Sequence, residues 1–129
     1  MKIAATILIA DRNPRVRRYI QREMINAGYH IIMAENSRQV LFWIRPNAAL
    51  DLLIVDPDLP GLDAGALFAE LRKRSPQMPI VIHSLRNESM DSIMDERVWF
   101  VEKRGNSIDV LKKTVVEIIN KKLLVGAHP

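Results

Sequence analysis

Residues 50–61 read LDLLIVDPDLPG, and the first half of that stretch decides the fold. Leu52 to Val55 is an unbroken aliphatic run that stops at Asp56, and Pro57, Asp58 and the Pro60-Gly61 pair follow it. The run is too short for a helix and too uniformly apolar for a strand with one wet face, so it reads as a strand buried on both sides. Strands of that kind belong to parallel sheets covered by helices on both faces. In such sheets ligands and chemistry gather just beyond the carboxyl ends of the strands, which is where Asp56 stands.

The rest of the chain repeats the same unit on either side. Ile3 to Ala10 forms a first strand. Asn13 then caps a helix with Pro14 at its first position, and Val16, Ile20, Met24 and Ala27 recur at helical spacing before Gly28 stops it. His30 to Met33 is a second strand, and Asn36 or Ser37 caps a second helix that runs to about Ile44 and ends before Pro46. Beyond the third strand, Asp51 to Val55, Asp63 caps a helix that turns Ala64, Leu67, Phe68 and Leu71 to one face. The loop RSPQMP leads to a fourth strand, Ile80 to His83. Ser89 to Glu96 holds at most two helical turns, and Val98 to Val101 is a fifth strand. A closing helix from Ile108 to Leu123 turns Ile108, Leu111, Val115 and Ile118 inward, and residues 124–129 form a loose tail. The pattern predicts an α/β, doubly wound, five-stranded parallel sheet. It is a (βα)5 fold with helices on both faces and a shortened fourth helix, all within a single domain over residues 1–129 whose core spans about residues 3–123.

Composition excludes several classes. The chain has no cysteine, so neither a disulfide framework nor a thiol nucleophile is available. Hydrophobic residues make up 48% and charged residues 26%, too apolar a mixture for disorder. The net charge of +4 is concentrated early, where Lys2 to Arg22 hold six basic residues against the single acid Asp11. The N-terminal MKIAATILIAD is too soon interrupted by Asp11 and Arg12 for a signal peptide, and no apolar run is long enough to span a membrane. A soluble cytoplasmic protein is expected.

The ends of alternate strands in this fold converge on one crevice. They bring Asp11 and Arg12 from the first strand, Asp56 and Asp58 from the third, Ser84 from the fourth and Lys103 from the fifth. Clustered carboxylates attract a hard divalent cation. A carboxylate can also act as a nucleophile toward a phosphoryl group, with a lysine and a hydroxyl holding the transferred oxygens. His83, His30 and His128 have no second imidazole placed near them and read as structural.

ILIAD followed by NPRVRR, then LLIVDPDLPGLD, PIVIHS and FVEK, resemble in order the motifs of the receiver domain of two-component response regulators, the single-domain chemotaxis receiver being the best-known relative. The resemblance covers about residues 5–123. It implies the flavodoxin-like strand order 2-1-3-4-5, Asp56 as phosphoacceptor from a sensor histidine kinase or phosphotransfer protein, and Mg2+ held by Asp11, Asp56 and the backbone carbonyl of Asp58. It further implies that Ser84 and Lys103 contact the phosphoryl group, that Phe100 is the aromatic switch residue, and that output leaves through the face made by the fourth helix, fifth strand and fifth helix. Self-catalysed phosphoryl transfer and dephosphorylation at Asp56 would be the only chemistry; the protein is not otherwise an enzyme.

Several positions depart from that pattern. Arg12 stands where the family has a second acid, the more direct metal ligand, so the Mg2+ site is expected to be weakened or absent. Arg12 is expected to pair with Asp56 or Asp11, mimicking the metal's charge or blocking its place. Leu85 is expected to crowd the phosphoryl pocket. Arg104 replaces the proline that usually follows the lysine, and the interval from Ser84 to Phe100 is short. A phosphorylatable receiver is therefore the first reading, with a phosphorylation-independent pseudo-receiver, an interaction module, as the alternative. Arg15, Arg17, Arg18 and Arg22 fall on or near the exposed side of the first helix and suit an acidic or phosphotransfer partner. Nucleic acid is not expected, because no helix-turn-helix, zinc spacing or exposed aromatic series accompanies them. The off-face apolar Val116 leaves room for a homodimer through the last strand and helix, and an effector domain or protein would carry the output.

Overall fold

The run Leu52–Val55 lies at the centre of the sheet, as its composition requires. The computed structural model describes residues 4–45, 49–85 and 91–127, with side chains through Lys121. The elements are β1 (Thr6–Ala10), α1 (Pro14–Asn26), β2 (His30–Ala34), α2 (Ser37–Trp43), β3 (Leu52–Val55), α3 (Ala64–Arg74), β4 (Ile80–Ser84), β5 (Val98–Glu102) and α4 (Ser107–Ala127). All strand pairs are parallel in the order β2-β1-β3-β4-β5, with Ile7 opposite both Ile31 and Leu52, Leu53 opposite Ile80, and Ile82 opposite Phe100. No helix among the described residues is long and apolar enough to cross a membrane.

Side chains of a strand alternate between faces, and here the alternation divides the core in two. Leu8, Leu53, Val55, Ile80 and Ile82 face Val40 of α2 and Leu67, Phe68 and Leu71 of α3. Ile7, Ile9, Leu52, Ile54 and Val81 face Ile20 and Met24 of α1 and Leu111, Val115 and Ile118 of α4. Neither face of β3 meets water. Burying each such side chain contributes roughly 1.5–3 kcal/mol, so the central strands hold the fold.

Helix starts follow the cap chemistry. Asn13 Oδ1 accepts from the backbone N–H groups of Arg15 and Val16, Asn36 Oδ1 from that of Gln39, and Asp63 Oδ1 from that of Ala66. Several boundaries differ from expectation. The first strand begins at Thr6, not Ile3, and residues 1–3 lie outside the described part. The last helix starts at Ser107 and runs past Leu123 to Ala127, so residues 124–127 continue the helix rather than hang loose; residues 128–129 are not described.

The helix expected over Ser89–Glu96 falls partly on residues 86–90, outside the described part. From Asp91 the chain is a turn and then irregular until Val98, consistent with the short interval. This connection is fastened by a residue that helical periodicity does not flag. Arg72, in the last turn of α3, donates to both carboxylate oxygens of Asp95 at 2.8 and 3.2 Å and to the carbonyl of Met78 at 2.8 Å. The Arg72 hydrogen bond holds the Asp95 carboxyl below its ordinary pKa.

A second fastening joins α2 to the loop after β3. Ser37 is buried at the start of α2; its Oγ donates to the carbonyl of Pro60 and accepts from the N–H of Leu62 at 2.8 Å. Gly61 between them has φ +113°, and a Cβ there would stand 2.0 Å from Ser37 Oγ. The serine can swing aside only by giving up both bonds. Gly28, with φ +99° and open space around it, isolates backbone strain alone. In urea unfolding, Gly28→Ala is expected to cost about 1 kcal/mol and Gly61→Ala about 2–3 kcal/mol. Ser37→Ala should recover part of the Gly61→Ala loss, and strict additivity of the two substitutions would contradict the steric account.

Candidate functional site

The carboxyl ends of β1, β3, β4 and β5 assemble the crevice from residues the sequence placed there. Asp11 directly follows β1, and its N–H bonds to the carbonyl of Ala34 at the end of β2. Its Oδ1 accepts from the N–H of Asn13, closing the turn that leads into α1. Its carbonyl accepts from Arg17 Nη1 at 2.6 Å. Asp56 follows β3, its N–H bonds to the carbonyl of Ala10, and its Oδ1 accepts from the N–H of Asp58 at 2.9 Å. Lys103 follows β5, and its N–H bonds to the carbonyl of Ser84, joining the ends of β4 and β5.

At the centre lies one ammonium between two carboxylates. Lys103 Nζ donates to Asp56 Oδ2 at 2.6 Å and stands 2.8 Å from Asp11 Oδ2. The side chains are 17% exposed for Lys103, 12% for Asp56 and 3% for Asp11, so water screens the cluster little. Burial works against the lysine's charge, but its bonds to Asp11 and Asp56 outweigh that penalty and leave its pKa raised. Ser84 is buried at the end of β4, and Phe100 is half-buried against the α2–α3 side of the core.

Three expectations about the surroundings are corrected. Arg12 pairs with neither Asp56 nor Asp11. Its Nη1 lies 3.7 Å from Asp58 Oδ2, an exposed and long contact, because Arg12 follows the buried strand end and its side chain points to water. Leu85 does not crowd the crevice, being 68% exposed. Arg17 does not belong with the outward basic residues of α1: its side chain is 13% exposed, holding the Asp11 carbonyl and Glu35. The sequence signal for that role was its position one turn after the cap, beside the strand end.

The donor set is that of a weakened or absent Mg2+ site, as expected. The family's second acid is Arg12 here, and the Asp11 and Asp56 oxygens that face each other are already bound by Lys103. Among the described residues no group of three or more histidines or acids is placed to hold a metal ion. A carboxylate about 5 Å from a dication is worth on the order of several kcal/mol even at an effective dielectric of about 20, so losing one is decisive for affinity.

His83, next to Ser84 on β4, is 4% exposed; its Nε2 lies 3.1 Å from Ser107 Oγ at the start of α4, and its Nδ1 has no partner among the described residues. Burial and then the Lys103 charge lower its pKa to about 4, against the opposing pull of Asp11 and Asp56. The native state thus keeps the imidazole neutral while the unfolded chain takes up its proton near 6.5. This contribution is complete above that value and is lost as pH falls toward 4; it amounts to at most about 3 kcal/mol. His83→Val should flatten the pH 4–6.5 dependence of stability relative to the parent while leaving stability at neutral pH within about 1 kcal/mol. Parallel stability curves for the two proteins would refute the assignment.

The family model of the response regulator receiver domain matches residues 7–120. The response regulator GtcR of Aneurinibacillus migulanus is 32% identical over 119 residues, 90% of this chain and 48% of that protein. A DNA-binding transcriptional regulator NtrC from a Bradyrhizobium species is 25% identical over 120 residues, 93% of this chain and 24% of that protein. The chain therefore spans less than half the length of these relatives. A CheY-like receiver domain protein from Methanospirillum hungatei superposes with a TM-score of 0.79 at 20% identity, over 93% of this chain and 98% of that one, a likeness of fold. The response regulator TrrA of Thermotoga maritima, solved in complex with Mg(2+)-BeF, gives 0.73 at 27% identity over 88% and 98%. With its sheet order, its strand-end acids and lysine, and a family match across nearly its whole length, the chain belongs to the response regulator receiver domain family, with an atypical metal site.

Proposed function

We propose that this receiver domain acts as a phosphorylation-independent interaction module in signal transduction. The observation that carries this reading is the missing acid: Arg12 stands where a second carboxylate would recruit Mg2+, and among the described residues no group of three or more histidines or acids is placed to hold a metal ion. Lys103 offsets only part of the charge of Asp11 and Asp56, leaving about −1 between them. Phosphoryl transfer to a carboxylate needs positive charge on the transferred oxygens. A single lysine shared between two aspartates supplies little of it.

The other reading, Asp56 as a phosphoacceptor served by a histidine kinase or phosphotransfer protein, is supported by its place after β3, with Lys103 in contact and Ser84 ending the neighbouring strand. In that case Phe100 and the surface of β5 and the last helix would transmit the change, and any phosphoryl turnover would be self-catalysed. Both readings call for a protein partner, and the outward Arg15, Arg18 and Arg22 of α1 suit an acidic one.

Intact-mass measurement after incubation with a small phosphodonor and Mg2+ separates the readings. The parent protein is expected to keep its mass. Arg12→Asp, which restores the second acid, is expected to bind Mg2+ at least about tenfold more tightly by calorimetry and to gain a phosphoryl group that Asp56→Asn abolishes. A parent protein that labels readily at Asp56 would reverse the conclusion.

A further inference from the structure

α2 presents an aromatic side chain to water that no part of the crevice uses. Phe42 is 58% exposed, one helical turn after Arg38. Two adjoining depressions run along this helix toward the loop after β3 and share Arg38, Phe42 and Gly61. Leu41, Phe42 and Leu62 supply apolar surface; Arg38 and Arg74 stand at the rim, and Arg45 lies over the Phe42 ring at 4.8 Å. Among the described residues, no acidic one lines either depression. Arg74 is engaged, by Glu70 at 3.3 Å and by the carbonyl of Leu41 at 2.9 Å, whereas Arg38 and Arg45 make no ion pair among the described residues.

An exposed apolar strip rimmed by unneutralised guanidinium groups is a site for a ligand that is both apolar and acidic. We propose that the groove between α2 and the β3–α3 loop docks an acidic amphipathic helical segment of a partner protein. Its apolar face covers Phe42 and Leu62, and its carboxylates pair with Arg38 and Arg45. The charge balance argues for this occupant, since three arginines face one glutamate around the strip. Single-stranded nucleic acid would use the same charge but needs a free aromatic face for stacking. Here Arg45 covers one face of Phe42, and Trp43 meets the ring edge-on at 5.2 Å. The Ser37–Gly61 fastening holds the two walls of the groove together. The proposal goes beyond the interaction-module reading and does not depend on it, because the groove uses neither Asp56 nor Lys103.

The test is fluorescence anisotropy of a labelled amphipathic helical peptide built of glutamate and leucine, titrated with the full chain. Saturable binding is expected, weakened about tenfold or more by Phe42→Ser and by Arg38→Glu. Both positions are exposed, so the fold should survive, as circular dichroism would verify. Amide shifts at Leu41, Gly61 and Leu62 should follow the same binding curve, and a lysine-leucine peptide should not bind. Absence of saturable binding, or equal binding by Phe42→Ser, overturns the proposal. Tighter binding of an oligothymidylate would assign the groove to nucleic acid instead. Self-association abolished by Phe42→Ser would assign it to a second copy of the chain.

Discussion

Two carboxylates buried at the ends of adjacent parallel strands repel each other, and everything at the carboxyl edge of this sheet is arranged around the ammonium that separates them. Asp11 and Asp56 follow β1 and β3, which are hydrogen-bonded neighbours, so the sheet register itself brings them together. Lys103 reaches them from the far edge strand, and its backbone is tied to the end of β4. One side chain thus links the ends of β1, β3 and β5. Such a buried ionic cluster is a weak source of stability, because desolvation consumes much of the attraction. Its effect is geometric: it fixes where the loops after β1 and β3 begin. The turn through Asn13 and the contact from Arg17 then set the start of α1.

The same cluster explains why a single substitution at position 12 matters more than its exposed side chain suggests. Arg12 is exposed, and its ion pair among the described residues is the long one to Asp58, so it does not bind the Asp11 and Asp56 carboxylates. Its consequence is the acid that is missing. With that acid present the crevice would carry about −2 beside Lys103 instead of about −1, and would draw in a dication more strongly. Without it, Lys103 leaves a net charge of only about −1 shared over two carboxylates, little to hold a strongly hydrated ion.

Much of this was legible in the sequence, for identifiable reasons. The alternation that sends Leu53 and Val55 to one face and Leu52 and Ile54 to the other follows from the pleat, so an apolar run implies helices on both sides. Asp11, Asp56 and Lys103 could be grouped because each ends a strand whose neighbours topology predicts. Side-chain direction at exposed positions could not. Whether Arg12 turns toward Asp56 or Asp58 depends on competition among acids a few ångströms apart, and Lys103 had already taken the buried ones. Contacts between elements distant in sequence were also hidden. Neither Arg72 binding Asp95 nor Ser37 bonding across Gly61 leaves a periodic mark. The basic stripe of α1 misled in one position, since Arg17 resembles its neighbours in composition and differs only in facing the strand end.

A cluster whose charge is partly offset by a covalently attached cation differs in kind from one held by a bound ion. An ion stabilises the state it binds by an amount that varies with its concentration, and its departure frees the carboxylates. Lys103 has no such dependence. Burial opposes its charge, but its bonds to the two aspartates outweigh that and keep it protonated, and its position is fixed by β5 and by the bond to Ser84. The resting geometry of the crevice is therefore written into the chain rather than into the surrounding solution. To act as a switch, an incoming group must compete with the lysine for Asp56, at an oxygen 2.6 Å away. Partner surfaces elsewhere on the fold, such as the arginine-rimmed strip on α2, face no such competition: Phe42 is already exposed, and Arg38 and Arg45 have no ion pair to break among the described residues.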